Sequence, residues 1–528
     1  MQIESMHEDT PERSVASRPA VIEHFSVKGL YGNRTVSLSS KYAATILIAK
    51  NGSGKTTLLA ALDAFLKGQF SRLSGLQFSS IECKLQGINE LLVLEQSDVL
   101  KLSEFTENSL VLSVAKQFSI DFVALVDFID DEYQYDSKTA RELHNNEMFE
   151  QILSKVGYSV VEARKICDRL AEALSGRSKN IERIRAALRA VLKGVEIVYL
   201  PTYRRIELPL SVDPEDRPKT GRRRKSVQSL LGISKRSLFN ADIQFGLSDI
   251  SERLVALNQN ILGFSNQGYR ETSASIINEL LNGEFERQTQ RQLDLPTKEA
   301  LKLFFARIKQ GEGRYYGPYS EVAIPDIDKI YSGEISAESN KFLIYYLSKL
   351  NRVIETTRGI ELPVETFIDS CNRYLSAEDT SVAVRSSKAA PSEEPRKLGP
   401  DDKMLRLNRR NLQVRVEGFS SKRKMPLDVL SSGEKQMVSL FARLYLYPGK
   451  KIFLIDEPEL SLSIGWQQKI LEDILRAPLC DQVIAITHSP FVFDNSLEPY
   501  AQALTIKVDD TIVEGDLFDE DDGVEGNV

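Results

Sequence analysis

Apolar runs of two kinds organise the chain. From Val21 the stretch VIEHFSVKGLYGNRTVSLS alternates apolar and polar positions, the two-residue period of half-buried strands, and Gly32-Asn33 supplies a turn between two of them. AATILIA is a short, continuous apolar run rich in branched side chains, which predicts a buried strand. It leads straight into the glycine-rich KNGSGKTT and then LLAALDAFL, whose apolar spacing predicts a helix. From Glu150 to Leu192 helix formers recur at three-to-four spacing with breaks near Gly157 and Gly176, and VEIVYL resumes as a strand ended by Pro201. Residues 243–375 again read as largely helical, without heptads sustained long enough for an extended coiled coil. The last part alternates quickly: a strand in NLQVRVEGF, a helix from Ser432, a strand in KIFLID, a helix near Trp466–Leu475 and a strand in QVIAIT. Strands alternating with helices predict an α/β fold built on a parallel sheet.

Composition adds exclusions. At 528 residues and 42% hydrophobic content the chain has material for two to four domains at roughly 100–200 residues each. No apolar window is long enough to span a membrane, and the polar N-terminus lacks the apolar core of a secretory signal, so a cytoplasmic location without membrane contact is expected. Four scattered cysteines and four histidines make a disulfide scaffold or zinc site a poor reading. The net charge of −7 is a local property: residues 509–528 carry nine acids and no Lys or Arg, so the remainder is close to neutral. That tail reads as solvated and disordered, as does the Pro- and charge-rich stretch around GRRRK.

Four segments carry chemistry. In the first, Asn51, Gly52, Ser53, Gly54, Lys55, Thr56 and Thr57 join a buried strand to a helix N-terminus, where backbone N–H groups and the helix dipole favour phosphate. Lys55 is placed to reach the β- and γ-phosphates and Thr56 to ligate Mg²⁺. The position of the first glycine in such loops is Ala49, expected to cost about 1 kcal/mol if it needs positive φ. The second segment, Ile452 to Glu457, is a buried strand delivering two acids to the sheet edge where ligands of α/β proteins bind; Asp456 is expected to hold Mg²⁺ through water, and Glu457 to orient or deprotonate the attacking water. The third is Leu430-Ser431-Ser432-Gly433-Glu434, a second anion-binding helix start. The fourth places His488 at a strand end in ITHSP.

In this order the four segments resemble the Walker A, signature, Walker B and switch-histidine elements of ABC-type ATPases, on the SMC/RecF/OLD side of that group. The long interval between Lys55 and Gly433 then leaves room for a large inserted helical lobe. TYRRIE (202–207) and FGLSDI (245–250) resemble the ATPases of bacterial antiphage systems, PtuA of Septu and retrons first and AriA of PARIS second. The resemblance implies an ABC-type P-loop ATPase head of two parts, 21–95 and 403–508, with a head strand at 196–210. Around them fall a flexible 1–20, helical insertions at 96–195 and 241–375, a disordered basic loop at 211–240, a linker at 376–402 and the acidic tail at 509–528. It also implies that ATP and Mg²⁺ are bound, and that Ser431, Ser432 and Gly433 reach the phosphate of a second copy in a homodimer or higher homo-oligomer while His488 contacts it in cis. Tyr31 is either an adenine-stacking aromatic or an ordinary strand-end tyrosine, and Arg204 and Arg205 either line the site or pair with acids. Few residues follow His488, too few for the Toprim nuclease of OLD-type relatives, so the effector, a nuclease or toxin, is expected on a separate protein. Arg222–Lys225 would touch nucleic acid or remain a solvated loop. A RecF-like ATPase that clamps DNA directly is the alternative.

Overall fold

The computed structural model describes residues 15–50, 52–102, 110–133, 143, 146–175, 178–201, 238, 247–282, 294–312, 324–332, 335–375, 403–418, 424–460 and 462–508. The Arg222–Lys225 loop, Arg204, Arg205, the linker 376–402 and the acidic tail lie outside the described residues.

In chain order the strands are β1 (Ile22–Leu30), β2 (Arg34–Ser39), β3 (Ala44–Ile48), β4 (Ser80–Leu85), β5 (Leu92–Glu95), β6 (Val195–Leu200), β7 (Lys403–Asn408), β8 (Gln413–Gly418), β9 (Lys424–Met425), β10 (Lys450–Asp456), β11 (Cys480–Thr487), β12 (Ala501–Ala503) and β13 (Thr505–Val508). They form a parallel sheet in the order β12-β3-β11-β10-β6, a second sheet in the order β13-β2-β1-β4-β5 with antiparallel neighbours, and a small sheet β7-β8-β9.

Burial on both faces explains why the parallel strands read as unbroken apolar runs. Phe453, Ile455, Val483, Ala485, Ala44 and Ile46 face one core, shared with the Ser432–Leu446 and Ile464–Arg476 helices. Ile452, Leu454, Ile484, Ile486 and Leu47 face the other, filled by the Lys55–Leu66 helix and the antiparallel sheet. Gln482 joins the two sheets: fully buried on β11, its amide oxygen accepts from Val21 N (3.0 Å) and Ile22 N (2.8 Å), and its amide nitrogen donates to Ile22 O (3.1 Å) and Ser40 Oγ (3.1 Å). All four hydrogen-bonding sites of a buried amide are thereby satisfied, which removes the cost of its desolvation.

The end of the expected flexible lead is ordered. Ala16 and Ala20 are buried, and Arg18 Nη2 donates to Cys480 O at 2.8 Å. All four cysteines are unpaired and buried, and burial pushes the Cys480 thiol up to about 12, so thiolate chemistry at neutral pH is disfavoured.

Two helical insertions leave the head. The first, between β5 and β6, has its own core around Phe128, Phe149, Ile152 and Leu170. The second carries helices Leu247–Leu281 and Ala337–Leu375, of 35 and 39 residues. These are longer than the weak periodicity of the sequence suggested. They run antiparallel: Leu254 and Ile261 share the head core with Phe367 and Cys371, while farther out Glu279 meets Tyr345 and Lys349. Gly268 marks the close approach, since a Cβ there would stand 2.5 Å from Val353 Cγ1. At the root, Glu361 is buried between Arg307 (2.9 Å) and Arg409 (2.7 Å), tying the arm to the β7–β8 turn. Among the described residues no helix is long and apolar enough to cross a membrane.

Candidate functional site

Strands β3, β11 and β10 lie side by side and parallel, so their C-terminal ends share one edge of the sheet. The phosphate-loop residues, His488 and the Asp456-Glu457 pair all emerge there, as expected for ligand sites of open α/β sheets.

The loop after β3 uses its glycines where the backbone turns left-handed. Gly52 has φ 76° and Gly54 φ 83°, a region that costs other L-residues about 1–2 kcal/mol. Ala49 needs no such conformation: it has no positive φ and still follows the sheet, donating its N–H to Thr487 O at 3.4 Å. The strain expected of it is therefore absent. Gly54 caps the Lys55–Leu66 helix without any side-chain hydrogen bond, leaving the first amides of that helix to a ligand. Ser53 Oγ is buried with no hydrogen-bond partner among the described residues. Asn51 lies outside them.

The side chains converge as ion pairs. Lys55 is buried, and its Nζ donates to Glu457 Oε1 at 2.6 Å. Thr56 Oγ1 donates to Asp456 Oδ2 at 2.5 Å, and Asp456 is fully buried. A hydroxyl and a carboxylate held against each other are hard oxygen donors of the kind Mg²⁺ takes when it bridges phosphates, so the residues fit that ion. The open space around Gly52 and the uncapped helix start fit a phosphate chain. Glu457 itself has φ 51°, a strained conformation for a non-glycine residue, with its N–H held by Ile486 O at 2.8 Å. The sequence offered no sign of that strain, which aims the acid back at the loop.

His488 is half exposed; its Nδ1 lies 3.2 Å from Glu459 Oε1 and 3.7 Å from Glu457 Oε1. Tyr31, also at positive φ and exposed, sets its hydroxyl 3.5 Å from Thr57 Oγ1. Ser431 begins a separate helix, Ser432–Leu446, through a complete capping box with Glu434. Ser431 and Ser432 are exposed and Gly433 is buried. Lys403 Nζ donates to Glu434 Oε2 at 2.8 Å, and Gln436 Nε2 to Leu460 O at 3.1 Å, linking this helix to β7 and to the segment after Glu457. Lys55, Thr56, Asp456, Glu457 and His488 are thus brought together within one subunit, while the signature serines stand at the exposed start of another helix. Two residues had gone unnoticed in the sequence. Glu459 is a buried acid two positions past Glu457, and Gln467 bridges Glu459 O, Leu462 O and the Ser489 hydroxyl. An acid between Pro458 and Leu460 was the only available signal for the first.

The profile of the AAA ATPase domain family matches residues 22–493, most of the chain. The chain belongs to the AAA ATPase domain family. This ATPase binds nucleotide on a P-loop α/β fold. No curated protein matches the ATPase in sequence. Among solved structures, it is similar to the Smc head domain with an extended coiled coil bound to the C-terminal domain of ScpA, from Pyrococcus furiosus, at 13% identity over 92% of this chain and 96% of that one, with a TM-score of 0.29. It is also similar to the SmcHead bound to the C-winged helix domain of ScpA, at 11% identity over 93% and 98%, with the same TM-score of 0.29.

Proposed function

We propose that two copies of this ATPase close on ATP, each supplying half of the cage, and that closure and hydrolysis control a separate effector, a nuclease or toxin, in antiphage defence. The defence role comes from the resemblance of TYRRIE and FGLSDI to antiphage ATPases. The closure rests chiefly on one observation: Ser431 and Ser432 are exposed at a pre-formed helix start, an anion site open to a second subunit.

In this reading Lys55 leaves Glu457 and binds the β- and γ-phosphates. Thr56 and Asp456 hold Mg²⁺, which when bound neutralises charge on the phosphate oxygens. Glu457, released by Lys55, takes the proton of the attacking water at a carboxylate oxygen. His488 contacts the terminal phosphate from its own subunit, and Ser432 and Gly433 reach it from the partner. Tyr31, beside Thr57, is the candidate for stacking on the adenine.

Ser432→Arg places a bulky cation at the helix start and leaves the protomer's core untouched. Sedimentation with Mg-ATP should show association in the parent protein and a monomer in the variant, with circular dichroism unchanged. A variant that still associates would refute the shared cage.

A further inference from the structure

Two acids flank the His488 ring, and only one is within hydrogen-bond reach. Glu457 Oε1 is 3.7 Å from Nδ1, too far for a hydrogen bond, and is engaged by Lys55 at 2.6 Å. Glu459 Oε1 is 3.2 Å from Nδ1 and also accepts from the His488 backbone N–H at 3.1 Å. One carboxylate oxygen therefore grips the histidine twice, by main chain and by ring.

Glu459 is itself held. It is 8% exposed, and the segment carrying it is fastened to the Ile464–Arg476 helix by Gln467, whose Nε2 donates to Glu459 O (3.3 Å) and Leu462 O (2.9 Å). The same Gln467 accepts from Ser489 Oγ at 3.0 Å, so one amide fixes the chain on both sides of the pair. Its second oxygen, Oε2, is buried without a hydrogen-bond partner among the described residues. A buried acid so placed costs desolvation energy that packing alone does not require, which points to a task at the site.

We infer that Glu459 is the positioning residue of His488: it fixes the ring as the Nδ1–H tautomer and turns Nε2 away from the acids, to the side where a phosphate binds. A ring nitrogen's role is set by the hydrogen bond its other nitrogen makes. The division of labour is then explicit, with Glu457 paired to the phosphate-loop lysine and Glu459 to the switch histidine. The inference rests on the role given to His488 under the proposed function, but the ring's state is measured without reference to that role.

The test uses the full-length protein labelled with ¹⁵N-histidine. The chain has only four histidines, so the His488 signals are assigned by their loss in His488→Gln. In alkaline buffer the parent should show the Nδ1–H tautomer, and Glu459→Ala should shift the ring towards Nε2–H. Glu459→Ala should also lower kcat about 10²-fold with little change in KM, the usual effect of a misplaced group. Glu459→Gln keeps an amide oxygen that accepts both bonds, so it should retain the tautomer and recover most of the turnover. It also serves should the alanine variant fail to fold. An unchanged Nδ1–H tautomer in Glu459→Ala overturns the inference, as does a glutamine variant that has lost that tautomer. If His488→Ala turns over normally, the role of the histidine falls under the proposed function, while the tautomer result still judges Glu459.

Discussion

Removing the charge of Glu457 should separate nucleotide binding from turnover. Lys55 and Glu457 meet at 2.6 Å, with side chains only 8% and 13% exposed, so the pair is shielded from solvent. For Lys55 to grip a phosphate it must give up this partner. A hydrogen bond to a charged group contributes about 1.5–3 kcal/mol and a neutral one about 0.5–1.5 kcal/mol. Glu457→Gln therefore lowers the cost of releasing Lys55 by about 1–1.5 kcal/mol, and nucleotide affinity should rise about tenfold. Turnover should fall about 10²–10⁴-fold, the usual contribution of a general base. Isothermal titration with a non-hydrolysable ATP analogue measures the first effect, and phosphate release at saturating ATP the second. Affinity equal to or weaker than the parent's would show that the Lys55–Glu457 pair does not compete with nucleotide. Normal turnover would remove Glu457 from the chemistry.

Gly268→Ala should destabilise the arm by about 1–3 kcal/mol, because a Cβ 2.5 Å from Val353 Cγ1 overpacks against a stiff, branched side chain. In a Val353→Ala background the same change should instead stabilise by about 1 kcal/mol, the helix-propensity gain of alanine over glycine, so thermal melts of the four proteins should show a reversal of sign. Burial pushes the Glu361 carboxyl up, but hydrogen bonds and charge from Arg409 and Arg307 outweigh it, leaving it below the ordinary carboxylate value. A carboxylate lowered on folding contributes stability that is complete above its unfolded value, about 4.3, and lost as pH falls through the folded one. Glu361→Ala should thus be about 3–5 kcal/mol less stable at neutral pH and lose less than the parent on acidification, a difference read from urea midpoints at neutral pH and below pH 4.

Much of the head was legible because its strands are buried on both faces. AATILIA, KIFLID and QVIAIT admit few alternatives, and strand ends followed by KNGSGKTT, DEP and THSP place their polar residues on one edge. What stayed hidden depends on partners remote in sequence. Gln482 looks like a polar flaw in a strand until Val21, Ile22 and Ser40 close around it. Glu459 is an ordinary acid until His488 folds against it. The arm helices were underestimated because their contacts change along their length, from an apolar base through a glycine crossing to polar ties at Glu279, so no single period runs through them.

The central sheet has a consequence for synthesis. Ala44 pairs with Val483 and Ile48 with Thr487, so the third strand made must wait for the eleventh before its edge is covered. During translation the early half has already emerged with one flank of its strand bare, and both insertions must pass before the missing neighbours arrive. Closing so long a loop adds little equilibrium cost, since that cost grows only logarithmically with length, but it makes assembly slow and prone to aggregation. Fragments split within the insertions should therefore be insoluble when produced alone and recover when produced together.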